Sequence, residues 1–211
     1  MSFKNLVMRV FAVVALGSAS LFAPVAQAQT SGEPYAVIDP VQPSDTPGKT
    51  EVLEFFAYSC VHCATMEPML EKWTKTLPDN VVFKPVPVAF NASMADLQKL
   101  YYTLESLGRL DLHAAVFKAL HDERKPIYDA KAITNWAVDK GIDRAQFEAA
   151  FNSFGINTKV SRANELAQTY KIQGTPTLAV GGKYVTSPSM TGTYESAITE
   201  AQKLLEQVTG K

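Results

Sequence analysis

The sequence predicts an α/β fold in which a block of helices interrupts a strand-bearing domain. Three observations carry that prediction. The run Val52-Leu53-Glu54-Phe55-Phe56-Ala57-Tyr58 is short, mostly apolar and aromatic-rich, and loop residues bound it, so it reads as a buried strand. Ser59-Cys60-Val61-His62-Cys63 follows at once, and then Met66, Leu70 and Trp73 recur at helical spacing, so the only two cysteines sit where a strand ends and a helix begins. From Ser93 to Tyr170 the periodicity is helical alone, and strand character returns at Thr177 to Val180.

Lys4 and Arg9 precede an uncharged apolar stretch, Val10 to Phe22, and then Ala26-Gln27-Ala28, the pattern of a secretory leader cleaved after Ala28. Gly17 and two serines dilute that stretch and Pro24 ends it, whereas a membrane-spanning helix needs about 20 apolar residues. Residues 29–33 are polar and expected to be disordered. Tyr35 to Ile38 is an edge-strand candidate, and Pro40, Pro43, Pro47 and Gly48 mark a turn-rich connection. Glu51 to Ala57 is the buried strand. The helix after Cys60 should run to about Thr76 with Pro68 inside it, where a backbone bond is lost. Val81 to Val88 is a strand carrying prolines at 85 and 87.

In the helical block, Met94, Leu97, Tyr101 and Leu104 share one face, and Leu112, Val116 and Leu120 another. Asp129 should cap a helix holding Ile133, Trp136 and Ala137, stopped at Gly141. Asp143 with Gln146 resembles a capping box for Phe147, Ala150, Phe151 and Phe154. Val160, Ala163, Ala167 and Tyr170 form the last stripe. Such stripes read as core and are assigned no ligand. Gly181-Gly182 is a hairpin turn into Lys183 to Thr186, and a final helix spans about Thr193 to Val208. The domain expectation is residues 29–92 with 171–211 around a helical insertion, 93–170. There is no internal repeat and no low-complexity tract.

With 20 basic and 21 acidic residues among 211, the balanced charge argues against nucleic acid as a partner. Losing the leader removes Lys4 and Arg9 and no acid, which makes the balance slightly more negative. The remaining chain is long enough to bury a core without staples. Export places the cysteines in an oxidising compartment, and the form of the leader points to a bacterial periplasm. A protein that exports one pair at this spacing gains little structurally, so chemistry on the disulfides of other proteins explains the pair better.

The first turn of a helix offers unpaired N–H groups and the positive end of the macrodipole, and both favour a thiolate over a thiol. Cys60, nearer the helix start, is expected to be the reactive thiolate, and Cys63, one turn inside, the buried resolving partner. His62 between them can supply charge or a hydrogen bond. Three competing readings are weaker. A structural disulfide at this spacing closes too small a loop to stabilise a fold much. A zinc site needs about four ligands, and only His62, His113 and His121 remain to complete one. Covalent haem attachment needs His directly after the second Cys, where Ala64 stands.

A strand, C-x-x-C at a helix start, a Pro five residues on, and a distant X-Pro before a hairpin together resemble the thioredoxin fold. With the inserted helical block, the His inside the C-x-x-C and the leader, the chain resembles the DsbA family of periplasmic thiol:disulfide oxidases. The most specific stretches are Glu51-Val52-Leu53-Glu54-Phe55-Phe56 through Cys63, Phe151-Asn152-Ser153-Phe154, and Gly174-Thr175-Pro176-Thr177 with Gly181-Gly182-Lys183-Tyr184. The resemblance implies a thioredoxin fold with an inserted all-helical domain. It implies that Cys60 is the nucleophilic cysteine, Cys63 the resolving one, and the pair a redox-active disulfide.

Pro176 matches the family's cis-proline facing the disulfide, which would present the backbone of Thr175 to a substrate strand. Glu54, six residues before Cys60, matches an acid beneath the site that lies beside a lysine of the next strand, here Lys84. That pair would tune Cys63 and relay its proton; the bland alternative is a solvated strand residue. Val61 stands where the family's commonest pattern has Pro, and the two residues between the cysteines tune the redox potential.

The implied substrates are unfolded, newly exported proteins, and the implied reoxidant is a DsbB-type membrane protein that passes electrons to quinone. No cofactor, no metal and no nucleic acid are expected, and a monomer is. Two other classes remain: a disulfide isomerase or reductase, and a metal- or thiol-binding chaperone without turnover. Family isomerases add an N-terminal dimerisation domain, for which too few residues precede Glu51.

Overall fold

The computed structural model describes residues 32–210; the predicted leader and the start of the polar stretch after it lie outside them. Five strands form one mixed sheet in the order β1-β5-β4-β2-β3. They are β1 (Ala36–Val37), β2 (Thr50–Phe56), β3 (Val81–Pro87), β4 (Thr177–Val180) and β5 (Tyr184–Thr186). Only the β2–β3 pair is parallel, and the helix between them, α1 (Val61–Thr74), makes the crossover such a pair requires.

β2 is central and almost wholly buried, which is why its sequence is a nearly continuous apolar run. Its two faces serve two cores. Val52 packs with Leu178, Val180, the inner residues of α1 (Met66, Leu70, Trp73) and those of the last helix, α8 (Tyr194–Thr209). Leu53 and Phe55 point the other way, into the larger cluster shared with the helical block. That block comprises α2 (Ala95–Ser106), α3 (His113–His121), α4 (Ala130–Asp139), α5 (Arg144–Phe151) and α6 (Phe154–Thr169), with two short 3-10 turns. The Asp129 side chain accepts from the Ala132 N–H and Asp143 from the Gln146 N–H, so both expected caps form.

One expectation fails in this region. Phe154 does not extend the stripe of α5. The Ser153 hydroxyl accepts from the Ile156 N–H at 3.2 Å and starts a new helix, α6, at Phe154. The turn leaves Phe154 86% exposed, the reverse of a core position. A short helix before α8, α7 (Pro188–Thr191), is a further element that periodicity does not show.

The hairpin between β4 and β5 requires its glycines. Gly181 and Gly182 have φ of +59° and +71°, and a Cβ on Gly182 would fall 2.0 Å from the Gln42 carbonyl oxygen. The Gln42 N–H donates to the Gly182 carbonyl at 2.9 Å, which ties the proline-rich connection to the hairpin tip.

Candidate active site

Cys60 is the N-cap of α1, with extended backbone at φ −90° and ψ 112°. Its sulfur accepts the Cys63 N–H at 3.3 Å, one of the donors that a helix start leaves free. Cys60 is half-buried and Cys63 fully buried, and both are free thiols in the structure. β2 and β4 are antiparallel neighbours, with Phe55 opposite Thr177, so the end of β2 and the start of β4 meet at one end of the sheet. That juxtaposition brings the cis Thr175–Pro176 peptide to the cysteines, and the Cys60 thiol donates to the Thr175 carbonyl at 3.3 Å.

The two thiols differ sharply. The Cys60 pKa is lowered to about 5, chiefly by the hydrogen bond from the Cys63 side chain. Burial opposes this, and the Thr175 side chain and the backbone N–H groups of Cys63 and His62 add to it. Cys63 is driven far above the thiol range by burial first, then by its bond to Cys60, the charge on Cys60 and, more weakly, that on Glu54.

His62 faces two ways. Its imidazole Nδ1 is hydrogen-bonded to the Tyr194 hydroxyl at 2.7 Å, and what His62 gives the sulfur comes through its backbone N–H. Glu54 lies under the site, 1% exposed, with neither carboxylate oxygen hydrogen-bonded. Burial pushes its pKa well up, and the charges of Glu67 and Cys60 push it further.

Lys84 does not join Glu54. The parallel register sets Lys84 opposite Leu53 and Glu54 opposite Pro85. Side chains alternate faces along a strand, so Lys84 shares a face with Leu53 and Glu51, while Glu54 points to the opposite side. The Lys84 ammonium pairs with the Glu51 carboxylate, which also accepts from the Thr46 hydroxyl at 2.7 Å and the Asp45 N–H at 3.1 Å. Burial alone would raise Glu51, but Lys84, Thr46 and Asp45 together hold it below the usual carboxylate range.

Several neighbours were not singled out for the site. Glu67, one turn after Cys63 on α1, reaches His113 Nε2 at 3.3 Å, and His113 Nδ1 bonds the Tyr58 hydroxyl at 2.7 Å. The i,i+4 spacing of an acid from Cys63 was a readable signal; the partners on α3 were not. His121 is held by the Tyr58 carbonyl at 2.8 Å. Tyr58 thus engages both His113 and His121, and among the described residues no cluster of three or more His, Cys, Asp or Glu side chains has a metal-binding arrangement. Tyr194, more than a hundred residues from His62, carried no sequence signal. A groove of about 730 Å3 has His62, Thr175, Pro176, Pro188, Met190 and Tyr194 among its walls.

The model of the DSBA-like thioredoxin domain matches residues 51–199. The chain belongs to that family. It is 53% identical over 200 residues to the thiol:disulfide interchange protein DsbA of Bordetella pertussis, covering 94% of this chain and 95% of that protein. The DsbA of Pseudomonas aeruginosa is 36% identical over 195 residues, covering 91% and 92%. The crystal structure of Pseudomonas aeruginosa DsbA superposes with a TM-score of 0.81 at 34% identity over 88% of this chain and 97% of that one. NmDsbA1 of Neisseria meningitidis gives 0.74 at 28% identity over 86% and 94%. The fold is therefore a thioredoxin fold with an inserted all-helical domain, and the chain is a protein disulfide oxidoreductase of the DsbA-like family that donates disulfides.

Proposed function

We propose that the disulfide handed over is Cys60–Cys63, that its recipients are unfolded proteins newly arrived in the periplasm, and that the chain works there as a monomer. The observation that carries this is the asymmetry between the two sulfurs. A sulfur held as a thiolate at neutral pH stabilises the reduced form alone, since the disulfide has no such charge. Each unit of lowered pKa is about 1.36 kcal/mol, or roughly 30 mV for a two-electron couple. The disulfide is correspondingly easy to give away.

A substrate thiolate attacks the Cys60 sulfur, the Cys60–Cys63 bond breaks and a mixed disulfide forms. Cys63 leaves with the electron pair and is protonated at once, because it is fully buried. The nearby proton source is the Glu54 carboxyl, whose burial favours its protonated form. A second substrate thiolate then attacks the substrate sulfur of the mixed disulfide. Cys60 leaves as its stabilised thiolate, and the substrate departs oxidised. The groove supports this reading, because Thr175 and Pro176 form part of its wall and the Thr175 carbonyl lies 3.3 Å from the Cys60 sulfur. Return to the disulfide needs a two-electron acceptor, which we assign to a DsbB-type membrane protein linked to quinone.

Equilibration with a glutathione series, together with oxidative refolding of a reduced, unfolded substrate, tests the reading. A donor should reach half-reduction well above the cytosolic glutathione poise and accelerate refolding. A chaperone without turnover would leave the refolding rate unchanged, and an isomerase or reductase would act only on preformed disulfides. Either result would overturn the assignment. For the leader, the mature protein recovered from a periplasmic extract should begin at residue 29; an uncut N-terminus would sink that part.

A further inference from the structure

The Tyr194–His62 contact joins the starts of two helices. Tyr194 is the first residue of α8, fixed there by the Thr193 cap, whose hydroxyl accepts the Ser196 N–H at 3.0 Å. The Tyr194 ring packs against the cluster that α1 and α8 bury on the sheet, so the hydroxyl is carried by a rigid element and not by a loop. His62 is exposed on the first turn of α1, and nothing else hydrogen-bonds its side chain among the described residues. The rings lie 6.2 Å apart, tilted by 39°, on the groove wall.

The Cys60 sulfur meanwhile accepts the Cys63 N–H and lies 3.3 Å from the Thr175 carbonyl, and the imidazole bonds neither sulfur. An imidazole two residues from a sulfur at a helix start is a ready donor to a thiolate, and charge-assisted bonds of that kind are the strong ones. Here the nitrogen nearer the backbone is already engaged.

We propose that Tyr194 is a positioning residue for the redox couple: its hydroxyl holds the His62 imidazole on the groove wall and off the Cys60 sulfur. Tyr194 thereby limits the oxidising strength of the disulfide without touching a reacting atom. The inference rests on the redox role of the Cys60–Cys63 pair. Its test reads the thiolate directly and needs no substrate, so it can fail while that role stands.

The test is a double-mutant cycle on the full mature protein with Tyr194→Phe and His62→Ala. The phenylalanine keeps the buried ring and removes only the hydroxyl. Tyr194→Phe should lower the Cys60 titration midpoint, followed by thiolate ultraviolet absorbance. It should shift the glutathione equilibrium toward a stronger oxidant by about threefold to tenfold, tenfold being about 30 mV. In the His62→Ala background the same substitution should move neither quantity. The nitrogen-15 spectrum of His62 should report the freed Nδ1. A merely structural tyrosine would change thermal stability and leave titration and equilibrium alone. That result, an equal shift with and without His62, or a raised midpoint would each overturn the proposal.

Discussion

The Cys60 sulfur lies 3.3 Å from the carbonyl oxygen of Thr175, a residue 115 positions further along the chain. The contact exists because β2 ends and β4 begins at the same end of the sheet. The thiol donates to that carbonyl, while the Thr175 side chain favours the thiolate. Thr175→Val keeps the shape and the carbonyl and loses the hydroxyl. The Cys60 pKa should then rise from about 5. The glutathione equilibrium should move toward a weaker oxidant by less than about tenfold, or 30 mV. A titration of the variant superimposable on the native one would remove the Thr175 hydroxyl from the account.

The lowered Cys60 pKa makes the stability of the reduced protein depend on pH. The unfolded thiol titrates near about 8.5, and the folded one near about 5. A depressed pKa contributes stability that is fully present above the unfolded value and is lost as pH falls through the folded one. Discounted for a half-exposed sulfur, the contribution is about 2–3 kcal/mol. The reduced form should therefore gain on the oxidised form between about pH 5 and pH 8.5, measured by denaturant unfolding of both. The difference between the two forms reports the Cys60 thiolate together with its effect on Glu54. A difference that does not change with pH would contradict the assignment.

Glu54 has the opposite sign. Its pKa is raised by burial, so the stability it allows is present below the ordinary carboxyl range and lost as pH rises. Glu54→Gln removes the ionisation and should stabilise the fold at pH 7 relative to the native protein, with little change at pH 4. The same variant should slow protonation of the leaving Cys63 and alter the pH profile of disulfide transfer. If stopped-flow profiles of the two proteins coincided, Glu54 would be a buried acid without a part in the reaction.

Lys84 belongs to a different piece of the structure. Its ion pair with Glu51, together with Thr46 and Asp45, anchors the connection before β2. Lys84→Met should lower stability by about 1 kcal/mol and increase hydrogen exchange in residues 43–49. The Cys60 titration should stay where it is. A shifted titration would mean that Lys84 is felt at the site after all.

Cys63→Ala leaves the nucleophile without a resolving partner. Mixed disulfides between Cys60 and substrate proteins should accumulate and be recoverable from a periplasmic extract. Non-reducing electrophoresis showing only unmodified protein would speak against turnover on proteins.

The elements were legible where a single period was clean. β2, α1, the caps at Asp129 and Asp143, and the Gly181-Gly182 turn all appear where spacing and residue type put them. Phe154 was misread because periodicity runs on through a helix boundary, and the Ser153 cap competes with it locally. The pairing of Lys84 was misread for a different reason. Which of two acids on β2 it meets depends on the register against β3, and a shift of one residue exchanges the faces.

The chemistry could be read from chain order. Two cysteines one helical turn apart, after a buried strand and at a helix start, leave an activated thiolate with a buried partner as the consistent outcome, because local backbone donors are fixed by position along the chain. What surrounds that sulfur depends on the packed fold. The Thr175 carbonyl comes from the segment just before β4, and the Tyr194 hydroxyl that takes up His62 from the start of α8. They meet through strand order and helix packing, and contacts between residues so distant in the chain have no period to be read from.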